Sequence, residues 1–221
     1  MYKNLVVQID DIVSQRSLLD HPFYKAWNMG KVSLNSLRNY AKQYYHFELA
    51  YPTFLSGIHH RCADRDIRQH ILDNLWDEEH GPENHVELWL RFCDALGLER
   101  SDVINSTPMD STSQLINKYQ DLTRTGSLAA GAAALYAYES QVPRVANAKM
   151  EGLKEYYGID SELDVSFFQV HKVLDEVHSD AEREMVLSMA GSDEKDHSEV
   201  LEAVNDATET LWQFLDGVYE D

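Results

Sequence analysis

Three side chains late in the sequence, His171, Asp175 and His178, stand at i, i+4 and i+7. At 100° per residue a helix turns all three to one side over two turns, which is metal-ligand geometry. Glu78 and His85 repeat the i, i+7 spacing, with Gly81-Pro82 between them, a pair that must kink or restart the helix. Glu139 stands alone at the end of a run of small residues. Three carboxylates and three imidazoles form a mixed oxygen and nitrogen donor set, suited to a pair of iron or manganese ions inside a helical bundle. Two ions about 3.5–4 Å apart would be bridged or flanked by such carboxylates and keep open positions for dioxygen or substrate. On these residues alone zinc stays open.

Proline spacing adds a second hint. Pro82 and Pro143 each follow a candidate glutamate, Glu78 and Glu139, by four residues. Lacking an N–H, a helical proline leaves the i−4 carbonyl unpaired and bends the helix there, freeing a carbonyl to orient a neighbouring group. Pro52 follows Glu48 by the same interval, which is taken as chance because six ligands already complete the set.

The elements that must position these residues are helices. Val, Ile and Thr never cluster in alternating runs, whereas Leu, Ala, Glu, Gln and Tyr recur at three- and four-residue spacing along nearly the whole length. Ser33 caps a long helix running towards Cys62, with Tyr40, Tyr44, Phe47, Tyr51, Phe54 and Ile58 as its apolar stripe, broken by Pro52. Further helices are expected over 66–80, 82–96, 111–125, 127–156, 161–190 and from 192 to the C-terminus, punctuated by Gly81, Gly97, Gly126, Gly158 and Gly191. The small residues of 128–135 suit a central, fully buried helix. No linker or repeat interrupts the chain, so residues 1–221 are expected to form one all-α domain.

Composition narrows the function classes. Net charge is −19, from 38 acidic against 19 basic residues, without a basic block that could track a phosphate backbone, so nucleic acid and anionic membrane are poor partners. The N-terminus turns acidic before a signal-length apolar run develops, and no stretch approaches 18 apolar residues. Cys62 and Cys93 have no paired spacing, which argues against a disulfide framework and a thiolate zinc site. A reducing, cytoplasmic location is expected.

Glutamate, six residues, histidine, then a lone glutamate, then histidine-three-aspartate-two-histidine resembles the ligand pattern of the haem-oxygenase-like dimetal oxidases. More closely, the runs 21–27 (HPFYKAW), 40–45 (YAKQYY), 73–79 (DNLWDEE), 127–131 (SLAAG) and 138–144 (YESQVPR) look like the family of the chlamydial protein associating with death domains and its bacterial relatives, in the PqqC/TenA-like superfamily. The likeness spans almost the entire chain. It implies a seven-helix haem-oxygenase-like bundle without haem, usually a homodimer, holding two metal ions (Fe/Fe or Mn/Fe), using dioxygen and supplying para-aminobenzoate for folate synthesis.

The resemblance also implies that such a protein consumes one of its own tyrosines. By motif correspondence this would be Tyr24, with Lys149 as amino donor. A tyrosine carries the para-substituted ring that the product needs, so cleavage from the backbone and replacement of oxygen by nitrogen would yield it. Where the chlamydial relative is expected to have a tyrosine four residues before His171, this chain has Phe167, so a radical relay would have to use Tyr40 or Tyr138.

Two rival enzymes share the fold. A cofactor-free oxidase like pyrroloquinoline-quinone synthase would make the six ligands unnecessary, and a thiaminase II reading lacks a cysteine in a nucleophile's setting. A different class is an interaction protein binding death domains through an acidic helix face, which a net charge of −19 permits.

Overall fold

The computed structural model describes the backbone of residues 2–191 and 194–219, and the side chains of 5–172, 179–191 and 194–219. Every regular element among them is helical: α1 (Tyr2–Gln15), α2 (Pro22–Trp27), α3 (Leu34–Arg61), α4 (Arg65–Glu79), α5 (His85–Ala95), α6 (Arg100–Ile104), α7 (Asp110–Arg124), α8 (Leu128–Glu139), α9 (Val142–Gly152), α10 (Ser166–Met189) and α11 (Glu194–Tyr219). A 3-10 turn (Leu18–Asp20) precedes α2, and a π-helical turn (Leu153–Tyr157) extends α9.

Local chemistry sets the helix starts. Ser33, Asp64, Asn84 and Ser127 each accept a hydrogen bond from a first-turn N–H of α3, α4, α5 and α8, satisfying donors that no helix can pair internally. His21 does the same for α2, its Nδ1 accepting from the Phe23 N–H at 3.0 Å. Gly81, at φ +79°, makes the left-handed turn between α4 and α5 that other residues resist.

Packing follows from side-chain size. From Ala129 to Glu139 every residue of α8 is buried, and the helix lies against α7, α10 and α11. A Cβ on Gly131 would sit 3.2 Å from the Leu122 carbonyl oxygen and from Thr123 Cα, so any other residue would press α7 back by a few tenths of an ångström. On the other side of the site α3 packs on α4, α5 and α7, and α10 reaches α4, α5, α8 and α9. The aromatic stripe of α3 is buried throughout, in one hydrophobic cluster that runs from Leu5 in α1 to Val218 in α11.

The architecture corrects two expectations. The described residues form eleven α-helical segments rather than seven. The expected helix over 127–156 is broken after Glu139, because Pro143 cannot donate to the Glu139 carbonyl. Gln141 mends the break: its N–H donates to Tyr138 O, its Nε2 to Ala137 O at 2.9 Å, and its Oε1 accepts from the Leu18 N–H at 2.8 Å. No described helix is long and apolar enough to cross a membrane.

Candidate metal centre

Glu78 lies in the last turn of α4, His85 opens α5 and His171 projects from the second turn of α10. The fold brings these three together with a fourth side chain, Glu48 of α3. Each offers one ligand atom, all four lie within 4.8 Å of one another, and all four residues are buried. His85 Nδ1 and Glu78 Oε2 form a buried ion pair at 3.0 Å and bond to no other group. His171 Nδ1 lies 2.7 Å from the Phe167 carbonyl oxygen. Since a carbonyl can only accept, Nδ1 carries the proton and Nε2 is the nitrogen able to coordinate, the usual arrangement of a metal-binding imidazole.

Electrostatics point the same way. Burial works against a charge on His85, but Glu78 and then Glu48 outweigh it and push its pKa up to about 9. Burial, followed by the charge of Glu78, pushes the Glu48 carboxyl up to about 8. Without an ion, both groups therefore hold protons near neutrality, as expected of a donor set with more negative charge than its surroundings balance. A bound cation would satisfy that demand and hold the carboxylates ionised.

Glu139, at the last position of α8, lines with Glu48, Tyr51, Glu78, Tyr138 and His171 a cavity of about 10 Å³. Its Oε1 accepts from the Tyr51 hydroxyl and, at 3.2 Å, from Asn74 Nδ2. Asp175 and His178 fall one and two turns after His171 in α10, but their side chains lie outside the described residues. The helix regularity that the proline argument turns on is lost at Glu78 and Glu139, where α4 and α8 stop, whereas Pro52 lies inside a continuing α3.

Beside the cluster is a second cavity of about 30 Å³, room for a few water-sized molecules. Tyr24, Tyr40, Tyr44, Tyr138 and Lys149 line it, and His171 lines both cavities. Lys149 is buried, with Nζ 5.6 Å from the Tyr24 ring centre and 5.0 Å from that of Tyr40. It donates to the Tyr40 hydroxyl at 2.6 Å, and Tyr40 is in turn hydrogen-bonded to Tyr24. Trp27 fixes the base of this lysine by donating from Nε1 to the Lys149 carbonyl at 3.3 Å. Burial pushes the Lys149 amine down to about 7, the charge of Glu48 opposing. All four tyrosines are buried, and burial raises Tyr24, Tyr40 and Tyr44 above the ordinary phenol range.

Reading the sequence missed Glu48, Tyr44, Tyr51, Asn74 and Glu182. Glu182 is only 1% exposed, and its charge adds to the burial that raises the Tyr51 and Tyr119 phenols. The available signals were the Pro52 interval for Glu48, and for Glu182 its place eleven residues after His171, a multiple of the helical repeat. Cys93 is not a nucleophile in waiting, since burial pushes its thiol up to about 12.

Comparison with known proteins places this geometry. A family model described as an iron-containing redox enzyme matches residues 38–212. The 4-aminobenzoate synthase of Nitrosomonas europaea is 41% identical, covering 97% of this chain and 90% of that protein. That of Chlamydia trachomatis serovar D is 38% identical over 98% and 92%. Among solved structures, a TenA homologue from Pseudomonas syringae pv. tomato superposes with a TM-score of 0.85 at 16% identity, covering 99% of this chain and 92% of that one, a likeness of fold.

Proposed function

The chain belongs to the iron-containing redox enzymes and is an oxidoreductase-type enzyme with a haem-oxygenase-like fold, and on that premise we propose that it supplies 4-aminobenzoate by spending its own Tyr24, with Lys149 as the source of nitrogen. The observation that carries this is the single cavity lined by the buried Lys149, by Tyr24 and by the candidate ligand His171. The 38–41% identity to proteins named 4-aminobenzoate synthase supports the product.

Glu78, His85, Glu139 and His171, with Asp175 and His178, would hold a pair of ions, Fe/Fe or Mn/Fe. When bound, the pair supplies the oxidising power by activating dioxygen. The protein does the rest. The ring and Cβ of Tyr24 provide every carbon of the product, so the Cα–Cβ bond must break and Cβ must be oxidised to a carboxylate at the expense of dioxygen. The phenolic oxygen leaves as water and nitrogen takes its place, the Nζ–Cε bond of Lys149 breaking in turn with Cε left as an aldehyde. Lys149 is suited to that exchange because burial leaves much of it an uncharged amine at pH 7, with its lone pair unprotonated. Tyr40 holds both partners, accepting from Lys149 and bonding to Tyr24. With Phe167 unable to carry a phenoxyl radical, a relay would use Tyr40 or Tyr138, which line the cavity shared by His171 and Tyr24, and Tyr138 is hydrogen-bonded there to Tyr44. The walls of Val142, Val145, Phe168 and Phe214 exclude bulk water.

Expression in a bacterial strain unable to make 4-aminobenzoate tests the proposal. The wild-type chain should restore growth, and Tyr24→Phe and Lys149→Met should not. Growth supported by the Tyr24→Phe protein sinks the sacrifice. Mass spectrometry of protein carrying ring-labelled tyrosine should find the label in the product, in no more than one equivalent per chain.

A further inference from the structure

Four helices send a ligand-type side chain to one point, and one of the four belongs to none of the helices whose spacing announces a metal site. Glu48 stands on the aromatic stripe of α3, between Tyr44 and Tyr51, and is 3% exposed. We propose that Glu48 is itself a metal ligand, a fourth carboxylate of the centre, sharing one ion with Glu78, His85 and His171; this rests on the metal site proposed above.

The geometry fits a single ion. Ligand atoms about 2.0–2.2 Å from a metal lie up to about 4.4 Å apart when they face each other across it. The four atoms here, all within 4.8 Å of one another, need to close by only a few tenths of an ångström. Glu139 is not one of the four, and its Oε1 accepts from Tyr51 and Asn74.

Two further observations point to an ion at this place. His85 Nδ1 and Glu78 Oε2 are buried, form an ion pair with each other at 3.0 Å and bond to no other group. A carboxylate as deeply buried as Glu48 persists only where something compensates it. Lys149 does so only at a distance: it forms no ion pair with Glu48, and its amine donates to Tyr40. Tyr44 supplies one hydrogen bond, which leaves the carboxylate's remaining lone pairs for a cation. Pro52 adds a backbone signature. Three of the five prolines follow a buried glutamate by four residues, and Pro52 alone does so inside an unbroken helix, where it strips the Glu48 carbonyl of its helical donor.

Charge gives the ligand its purpose. Glu78, Glu139 and Asp175 supply three negative charges against the four positive of two divalent ions. Glu48 makes the set neutral, which holds the ions more tightly and favours their higher oxidation states.

The test is an anaerobic titration of the metal-free full chain with cobalt(II), read by chelator competition and by the intensity of the visible d–d bands, which reports coordination number. Two variants are used: Glu48→Gln, with the same shape and no charge, and Glu48→Leu, with no donor atom. Circular dichroism melting confirms that both fold, as removal of a buried charge allows. Both should bind at least one ion about tenfold or more weakly than wild type, with altered d–d intensity. Variants that match wild type in affinity and bands overturn the inference, and so does weaker binding with unaltered bands, because that marks Glu48 as a neighbour of the ligands only. If wild type itself takes up no more cobalt than His171→Ala, the metal site fails and the inference falls with it.

Discussion

Above about pH 7 the side chain of Lys149 is an amine rather than an ammonium, because burial penalises its charged form. Its role as nitrogen donor then has a definite pH dependence: product formed in a single turnover should rise as pH passes upward through about 7, measured by chromatography of the released acid. Lys149→Arg, which stays charged at every accessible pH, should give less than a hundredth of the wild-type yield. The same shift has a thermodynamic side. Between about 7 and the ordinary lysine value near 10.5, the unfolded chain binds the extra proton, so this group makes stability rise with pH there. Glu48 acts oppositely. Its carboxyl, raised from 4.5 to about 8, makes the folded state the better proton binder, so stability falls as pH rises across that window. The metal-free protein should therefore be least stable near pH 7–8 on account of this pair, and Glu48→Gln should flatten the acid limb in urea titrations. At this scale the sequence was partly legible. Glu78, His85 and His171 show themselves by helical spacing, whereas Glu48 is a lone carboxylate in a stripe that reads as core. Tyr24 and Lys149 obey no spacing rule, since they meet only through the fold.

Helix ends carry half of the candidate ligand set. Glu78 and Glu139 are the last turns of α4 and α8, where carbonyls have no helical partners, and His85 is the first residue of α5. The Gly81-Pro82 and Ser140–Pro143 breaks are thus what allow side chains from successive helices to converge. The start and stop of α3 could be read directly, from Ser33 and Cys62. At Glu139, Pro143 announced a bend but not a full break, because Ala, Leu and Tyr favour helix on one side, Val, Arg and Ala continue the pattern on the other, and the repair by Gln141 depends on Leu18, far away in sequence. α1, α2 and α6 were not anticipated. The last two are five or six residues long, too short for periodicity to register. A tight helix contact also governs the lysine. A Cβ on Gly152 would lie 2.6 Å from the Trp27 indole, which holds the Lys149 carbonyl. Gly152→Ala should cost about 1–3 kcal/mol in urea unfolding and lower the yield of product more than a distant substitution of equal cost does.

The whole molecule is built around aromatic packing, and Tyr24 is part of that packing rather than a ligand parked in a pocket. It is 3% exposed, its ring 5.2 Å from Phe23 and 6.4 Å from Trp27 between centroids, in the cluster that joins α1 to α11. A reagent drawn from the core cannot be removed without consequence. Losing the ring leaves a hole that its neighbours fill only in part, at a cost of about 3–5 kcal/mol. Natural domains hold only about 5–15 kcal/mol in all. A chain that has reacted should therefore melt roughly 6–20 °C below one that has not, which calorimetry of the two forms, separated by mass, would measure; equal melting temperatures would mean that the ring had stayed in place. Such a loss raises the unfolded fraction that proteases survey. The packing around Tyr24 would then act as a timer on the protein's life: an unspent chain is durable, and a spent one marks itself for recycling.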